Sequence, residues 1–518
     1  MRLTRPASAS KDAPARLSRD APGVVATSER PGAEREPWRP KASLIAIAGA
    51  SGYVGRLLTE RLARAGHGVV GIARHSTGLA GGPRVRALTI DVSDVDATAA
   101  ALAGVDAAFY LVHAMAGGAG FADRDRHLAE SFADAARRAG VSRIVYLGAL
   151  GHDDLSTHLA SRQEVGAVLR ESGIPVVELR AAVILGAGSI SFEMLRSLTE
   201  RLPAMVCPRW VGTRLQPLAE DDLLAYLEES LNVPPGTYEI GSPDVTDYGQ
   251  MMRLYAAARR LRPRRILTIP LLTPSLSARW VDLVSPVDRK VSHSLIESLV
   301  SEVVVHDPGP ATSAFTVRPV PVARAIRCAI DREAERVTNG LFERPEGLLG
   351  GVYTMRCSTR LHEDMVDAVR DKLRRIGGEL GWYGMAWAWR LRLRLGRLFG
   401  ERLTLERPEQ LRPGTTADWW TVTCADEDRL ALRADGWFCG EGWLGYRIAS
   451  SPLRLEQAAA FRPKGLVGLA YWRLLWPVHW VVFRIMARHQ IQQARAVTPP
   501  GGAGGFDRLD RGACRPGD

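Results

Sequence analysis

Residues 45–62 read "IAIAGASGYVGRLLTERL", and no other stretch constrains the fold of this chain as tightly. An apolar β-like run gives way to Gly49, Gly52 and Gly55, and an amphipathic helical pattern follows at once. Glycines at this G-x-x-G-x-x-G spacing let a backbone double back after a strand, approach a bulky anion and enter a helix. The helix N-terminus then offers free N–H groups and a partial positive charge. Placed after the first strand of a βαβ unit, the turn is a pyrophosphate cradle, with Gly49, Ser51, Gly52, Tyr53, Val54 and Gly55 as the contacting residues.

The pattern downstream supplies that βαβ context. Strand-like runs "GVVGIAR", "RALTIDV", "AAFYLVHA", "SRIVYLGAL" and "PVVELRAAVILG" alternate with helical patterns such as "RHLAESFADAARRAG". Alternation of this kind predicts an α/β fold with a doubly wound parallel sheet, a dinucleotide-binding Rossmann domain. The second strand ends in Ala73-Arg74-His75, with no acid to bond a ribose 2′-hydroxyl. Arg74 suits a 2′-phosphate, so NADP(H) is expected in preference to NAD(H), unless Arg74 is only a solvated strand end. Asp91 and Val92 close the third strand, where they either lie along the adenine or start the next helix.

The glycine loop, the "DV" after the third strand and the fourth strand "YLVHAM" resemble the atypical or extended short-chain dehydrogenase/reductases, of the NmrA-like and epimerase-like kind. The later "SFEMLRSLTERLPAMVCPRWVGTRLQPLAEDDLLAYL" and "YEIGSPDVTDYGQMM" are similar to a bacterial subgroup of that family. The resemblance covers residues 43–335 and implies an NAD(P)-binding domain with a small substrate portion at about 186–335. It also implies that Leu111, Val112 and His113 border the nicotinamide ribose. Active members of the family carry a Tyr and, four residues later, a Lys on one helical face. Here "STHLASRQEVG" has His158 and Arg162 at those positions, and "VYLGALG" has Gly148 and Ala149 where many members carry Ser or Thr. Histidine titrates near neutrality and can replace an acid/base, whereas arginine can hold a ribose or phosphate but cannot share its proton. His158 and Arg162 are therefore the catalytic candidates, with a helix end that lines a cleft without chemistry as the alternative. Arg180, Glu193, Arg209 and Arg214 are further polar candidates, Arg180 as an anchor for the substrate portion and the others as ion-pair members.

Composition changes in the second half, where ten of the thirteen tryptophans lie at or after Trp382, which predicts separate cores for the two halves. A linker is expected at 336–350, within the glycine-rich "VTNGLFERPEGLLGG". Consecutive strand-like segments "DWWTVTCA", "DRLALRADGWF", "EGWLGYRIAS" and "PLRLEQAAAF" predict an antiparallel sheet, preceded by the helix "EDMVDAVRDKLRRIGG" and followed by a long apolar one. This α+β domain, at 351–489, resembles the helix-grip, START/polyketide-cyclase-like class, which implies an apolar cavity and a lipid-like ligand, unless its tryptophans only fill a core. The last helix is long enough to span a bilayer from Gly465 to Met486, yet Arg473, Pro477, His479 and Arg484 interrupt it. Arg390, Arg394 and Arg397 in "WRLRLRLGRLFG" fall on one helical face, which reads first as a solvated face and alternatively as one that rests on an anionic membrane surface.

The net charge of +11 invites a nucleic-acid reading, but the low-complexity tails at 1–42 and 490–518, both expected to be disordered, account for +5 of it. No run of five like charges occurs elsewhere, so no nucleic-acid partner is expected. The six cysteines lack C-x-x-C spacing, which argues against a disulfide framework and against a metal site and suits a reducing cytoplasm. No apolar stretch follows the basic N-terminus, so no signal peptide is expected. Together these features predict an NADP(H)-dependent oxidoreductase for a small apolar or lipid-like carbonyl or enone, cytoplasmic and soluble, with peripheral membrane contact as an option. The alternatives are a non-catalytic NADP(H)-binding sensor or scaffold and a lipid-binding carrier.

Overall fold

Seven short apolar segments, each too short to bury its own backbone, pair edge to edge into one parallel sheet. A computed structural model of the chain describes residues 43–268, 300–342, 352–376, 410–436, 440–497 and 515–517, with residues 394 and 408 and short breaks at 77, 80, 114–119, 154 and 203. Strands β1 (Leu44–Ala48), β2 (Gly68–Ala73), β3 (Val85–Thr89), β4 (Ala107–Tyr110), β5 (Arg143–Ala149) and β6 (Val176–Ala181) match the six runs read from the sequence. With β10 (Gly236–Ile240) they form the order β3-β2-β1-β4-β5-β6-β10. The chain leaves β1 toward β2 and later crosses back to β4, so the direction of winding reverses between β1 and β4. A crevice opens at such a reversal, outside the carboxyl ends of the strands. Helices α1 (Tyr53–Arg64), α2 (Val95–Leu102), α3 (Phe121–Ala139) and α4 (Thr157–Glu171) connect the strands. α3 ends at Gly140, whose φ of 72° is the left-handed conformation that closes a helix without a Cβ penalty.

Residues after β6 build a smaller layer on the same sheet. It contains short strands β7 (Ile184–Leu185), β8 (Ala204–Cys207), β9 (Leu218–Ala219) and β11 (Arg265–Thr268) and helices α5 (Ile190–Arg201), α6 (Glu220–Glu229) and α7 (Tyr248–Ala258), and it ends in the helix Val322–Asn339. Phe192, Leu195, Tyr248, Tyr255 and Ile326 make its core.

The C-terminal half is a separate antiparallel sheet, in the order β13 (Thr416–Ala417), β14 (Trp420–Ala425), β15 (Arg429–Gly436), β16 (Gly440–Ser450), β17 (Leu453–Pro463), β12 (Tyr353–Arg360). The helices Val366–Arg374 and Gly465–Val497 cover it, with Leu373, Leu432, Leu444 and Met486 between them. Strand β12 is an addition that the sequence reading did not contain. Two further expectations change here. The final helix runs to Val497, past the expected boundary at 489, and Arg515–Gly517 pairs with Thr354–Arg356 at the sheet edge. Cys357 is disulfide-bonded, while Cys207, Cys328 and Cys424 are free. Pairing depends on which Cα atoms the fold brings within reach, and spacing along the chain does not report that. Among the described residues no helix is long and apolar enough to cross a membrane, so the spanning alternative for 465–486 falls. The tail at 1–42, the later linker residues 343–350 and the stretch with Arg390 and Arg397 lie outside the described residues.

The two halves do not keep wholly separate cores, which corrects the inference drawn from tryptophan content. Ala334, Val337, Leu341 and Phe342 from the end of the first half share a cluster with Trp443, Ala458 and Ala460 of the second sheet. The start of the expected linker is thus buried, because Leu341 and Phe342 have a sheet to pack against. Beside that cluster runs a chain of alternating charges. Glu193 pairs with Arg196, and Arg196 with Glu333 at 3.4 Å. Glu333 pairs with Arg462, and Arg462 with Glu441. Glu441 pairs with Arg259, which lies 3.4 Å from Glu200, and Glu200 accepts from the Tyr255 hydroxyl at 2.7 Å. Arg462 and Glu333 are fully buried. The surrounding arginines hold the Glu441 carboxyl ionised against the pull of its burial. A buried pair of this kind adds little over an apolar substitute, but losing one member strands the other charge. Arg462→Met is expected to destabilise the full chain by about 3–5 kcal/mol, read as a lower urea midpoint.

Candidate functional site

The phosphate turn is built by close packing rather than by side chains. Gly49, with φ 92°, follows β1, and a Cβ there would stand 2.7 Å from the Leu111 carbonyl oxygen. Gly49 and Ala50 N–H groups both donate to Ile72 O, at 2.9 and 3.1 Å, tying the turn to β2. A Cβ on Gly55 would meet Gly49 O at 2.2 Å, so only glycine lets α1 start this close to the strand. Gly52 caps α1 with no side-chain hydrogen bond, and the first turn contains no acid. The Gly52 N–H donates to Gly49 O at 3.0 Å, so the N–H groups of Tyr53, Val54 and Gly55 are the ones left for an anion, with no competing negative charge, which fits a pyrophosphate.

Tyr53 plays a different part from the one its place in the loop suggests. Its hydroxyl donates to Glu220, and burial beside that carboxylate raises its pKa. Glu220 is also paired with Arg332 at 2.6 Å, and Arg336 stands 5.9 Å over the Tyr53 ring. The tyrosine side chain thus anchors α1 to α6 and to the helix Val322–Asn339, leaving only its backbone for an anion. At the other end of the crevice, Arg74 is exposed at the close of β2, beside Asp91 at the close of β3. Asp91 is held below the ordinary carboxylate range, first by the Ser93 backbone N–H and more weakly by Arg74 and His75. Val92 behind it is buried.

Leu111, Val112 and His113 leave the end of β4 next to Gly49, and His158 comes to them from α4. The His113 and His158 rings are 4.8 Å apart, with Phe121 6.2 Å from His158 on the other side. His158 and Arg162 share one face of α4, as their spacing predicts, but they do different work. The Arg162 guanidinium donates to Leu147 O and lies 5.3 Å over the Tyr146 ring, while Arg162 O accepts from the Tyr146 hydroxyl at 2.7 Å. Burial, then His113, then Arg162 push His158 down to about 3, so its imidazole is neutral at physiological pH. His113 is also lowered, by burial and by Arg162, although Asp125 Oδ2 at 3.4 Å from its Nδ1 opposes the shift. Burial is the largest cause of the His158 shift, and Arg162 acts in the same direction.

The sequence reading missed Asp125, Glu220 and Glu178. Asp125 is buried on α3, on the face that carries Ala129 and Phe132 at i+4 and i+7. An acid on an apolar stripe signals a buried partner, here His113. Glu178 is fully buried and paired with Arg170 and with Arg180 at 2.9 Å, so Arg180 is engaged inside the sheet layer. A Cβ on Gly148 would stand 3.1 Å from Glu178 Oε1, so this carboxylate occupies the space that the Ser or Thr of many relatives would fill. Glu193 belongs to the buried charge chain, and Arg214 makes an exposed pair with Glu302 at 3.1 Å. Among the described residues no group of three or more His, Cys, Asp or Glu is placed to hold a metal ion.

Residues 49–187 match the family model described as NAD(P)H-binding. This half carries an NAD(P)-binding Rossmann domain. Residues 348–486 match a second model, described as a protein of unknown function (DUF2867). A 3 beta-hydroxysteroid dehydrogenase/Delta 5-->4-isomerase of Mycobacterium tuberculosis is 34% identical over 112 residues, 20% of this chain. The match covers only 30% of that relative's length. Similar solved structures include the Bordetella bronchiseptica enzyme WbmH in complex with NAD+, 15% identical at a TM-score of 0.44, covering 57% of this chain and 99% of that one. Another is a Citrobacter sp. triphenylmethane reductase, 17% identical at a TM-score of 0.45, covering 55% and 99%.

Two outcomes follow from this geometry. Gly55→Ala forces α1 away from the turn, and NADPH binding followed by fluorescence titration is expected to fall at least about tenfold. The depressed His158 pKa means that the unfolded chain, but not the folded one, protonates this histidine between about 3 and 6.5. The unfolded state binds more protons there, so stability rises with pH across that window, and His158→Gln is expected to flatten the rise in urea unfolding series.

Proposed function

We propose that the chain is an NADP(H)-dependent oxidoreductase of the short-chain dehydrogenase/reductase type, acting on a carbonyl or enone of a small apolar or lipid-like substrate. One observation carries the reading: an uncapped, acid-free helix N-terminus and the His113–His158 pair flank the same crevice at the carboxyl edge of the sheet. The exposed Arg74, with no acid ending β2, supports the 2′-phosphorylated cofactor. The 112-residue kinship to a hydroxysteroid dehydrogenase supports an apolar substrate.

In this mechanism the bound dinucleotide supplies or accepts a hydride. Backbone N–H groups of Tyr53, Val54 and Gly55 would hold the pyrophosphate, with Gly49 and Gly52 shaping the turn, Arg74 would hold the 2′-phosphate, and Asp91 and Val92 would border the adenine. Leu111, Val112 and His113 would flank the nicotinamide ribose. His158 stays neutral, so it acts as a hydrogen-bond donor that polarises the substrate oxygen and not as an imidazolium acid. Arg162, bound to Leu147 O, holds α4 against β5 and keeps His158 over the crevice.

A second reading, an NADP(H)-binding sensor without turnover, draws on that same inward commitment of Arg162 and on Glu178 standing where a hydroxyl side chain is common. The test is a titration with NADPH followed by a screen of apolar ketones and enones. Arg74→Ala is expected to weaken NADPH about tenfold or more and to leave NADH unchanged. His158→Ala is expected to lower kcat about a hundredfold with NADPH affinity retained. Unchanged turnover removes His158 from the mechanism, tight binding with no turnover across the screen favours the sensor, and no binding at millimolar NADPH overturns both.

A further inference from the structure

The helix Gly465–Val497 has two faces of different character. One packs on the C-terminal sheet: Trp472 and Met486 are buried, and Trp472 stacks on Phe461 of β17 at 5.1 Å between ring centres. The opposite face carries Val467, Leu474, Val478 and Val481, exposed at 60%, 78%, 52% and 44%. Only three other large hydrophobic side chains are comparably exposed among the described residues, Val245, Leu267 and Val300, and none is on this helix. At about 100° per residue, the four positions fall in a stripe roughly 60° wide, with exposed Ala470 and Pro477 along its edge.

Charge accompanies the stripe. The helix contains four arginines, at 473, 484, 488 and 495, and no Asp or Glu. By the same helical spacing Arg473 falls in the sector next to the apolar stripe. Arg473 is exposed there, one residue from Leu474. Trp476 and Trp480 are half-buried, as aromatic rings are when they sit at an interface.

We propose that this face seats the protein on an anionic lipid surface, with the helix lying in the headgroup plane. An arginine-bearing helix without acids, whose narrow apolar stripe lies beside the exposed Arg473, matches a negative surface over a hydrocarbon interior. A second copy of the chain matches it poorly. Two such helices would bring arginines together with no acid on either helix to pair them. Arg473 also keeps the helix at the surface, since burying its charge at the bilayer centre is costly.

Flotation of the full chain with phosphatidylcholine vesicles, with and without phosphatidylglycerol, tests this. Binding is expected only with phosphatidylglycerol and is expected to weaken as salt rises, because the attraction between exposed charges is screened. Leu474→Glu combined with Val478→Glu is expected to lower partitioning at least about tenfold, from the loss of two inserted apolar side chains. Circular dichroism and the urea midpoint verify the fold of that variant. Arg473→Gln, a milder surface change, is expected to weaken binding while Arg473→Lys retains it. No flotation with anionic vesicles, or equal flotation of the unaltered chain and a folded double variant, overturns the proposal. So does a concentration-dependent dimer in sedimentation that the double variant dissolves, which would assign the face to a second copy.

Discussion

Everything between the two sheets depends on how the Arg462 guanidinium is neutralised. It is fully buried, and two carboxylates from different places share it, Glu333 on the last helix of the first half and Glu441 on the neighbouring strand of its own sheet. Each carboxylate passes the requirement on, to Arg196 and to Arg259, so the chain of charges closes only when both halves are folded and in register. Apolar packing of Trp443 and Phe342 beside it removes water and makes the pairing obligatory. The junction is thereby specific, because a shift of one side chain would leave a charge in a dry interior with no partner.

The helix Val322–Asn339 connects this junction to the crevice. Glu333 and Val337 face the second sheet, while Arg332 and Arg336 reach Glu220 and Tyr53 at the start of α1. The element that supports the phosphate turn from behind is therefore also the one that the C-terminal half holds in place. Burial plays the corresponding part around His158. With His113, Phe121 and Arg162 around it, the imidazole loses its positive form, and what remains is a polarising hydrogen-bond group.

Much of the first half was legible because its signals are local. A strand, a glycine turn and a helix lie within residues 45–62, and the six runs alternate at lengths that only a parallel sheet accommodates. His158 and Arg162 were placed on one helical face by spacing alone. Their divergent roles were not legible: one guanidinium turns to Leu147 O, a partner 15 residues earlier on an adjoining strand. Tyr53 was read as a cofactor contact from its place in the loop, yet its hydroxyl belongs to Glu220, 167 residues away. The missing hydroxyl at Gly148 was visible in the sequence, while the Glu178 carboxylate that packs against it from the next strand was not.

The sequence by itself determined the phosphate turn, the winding of the first sheet, the antiparallel character of the second and the faces of each helix. These follow from backbone sterics, from the period of apolar residues and from glycine where no Cβ fits, all of which act over a few residues. Only the tertiary structure decided which charges are buried together, which tyrosine and arginine are anchors, and which histidine is kept neutral. Those properties come from desolvation and from partners far apart along the chain, and neither exists until the two sheets have closed on each other.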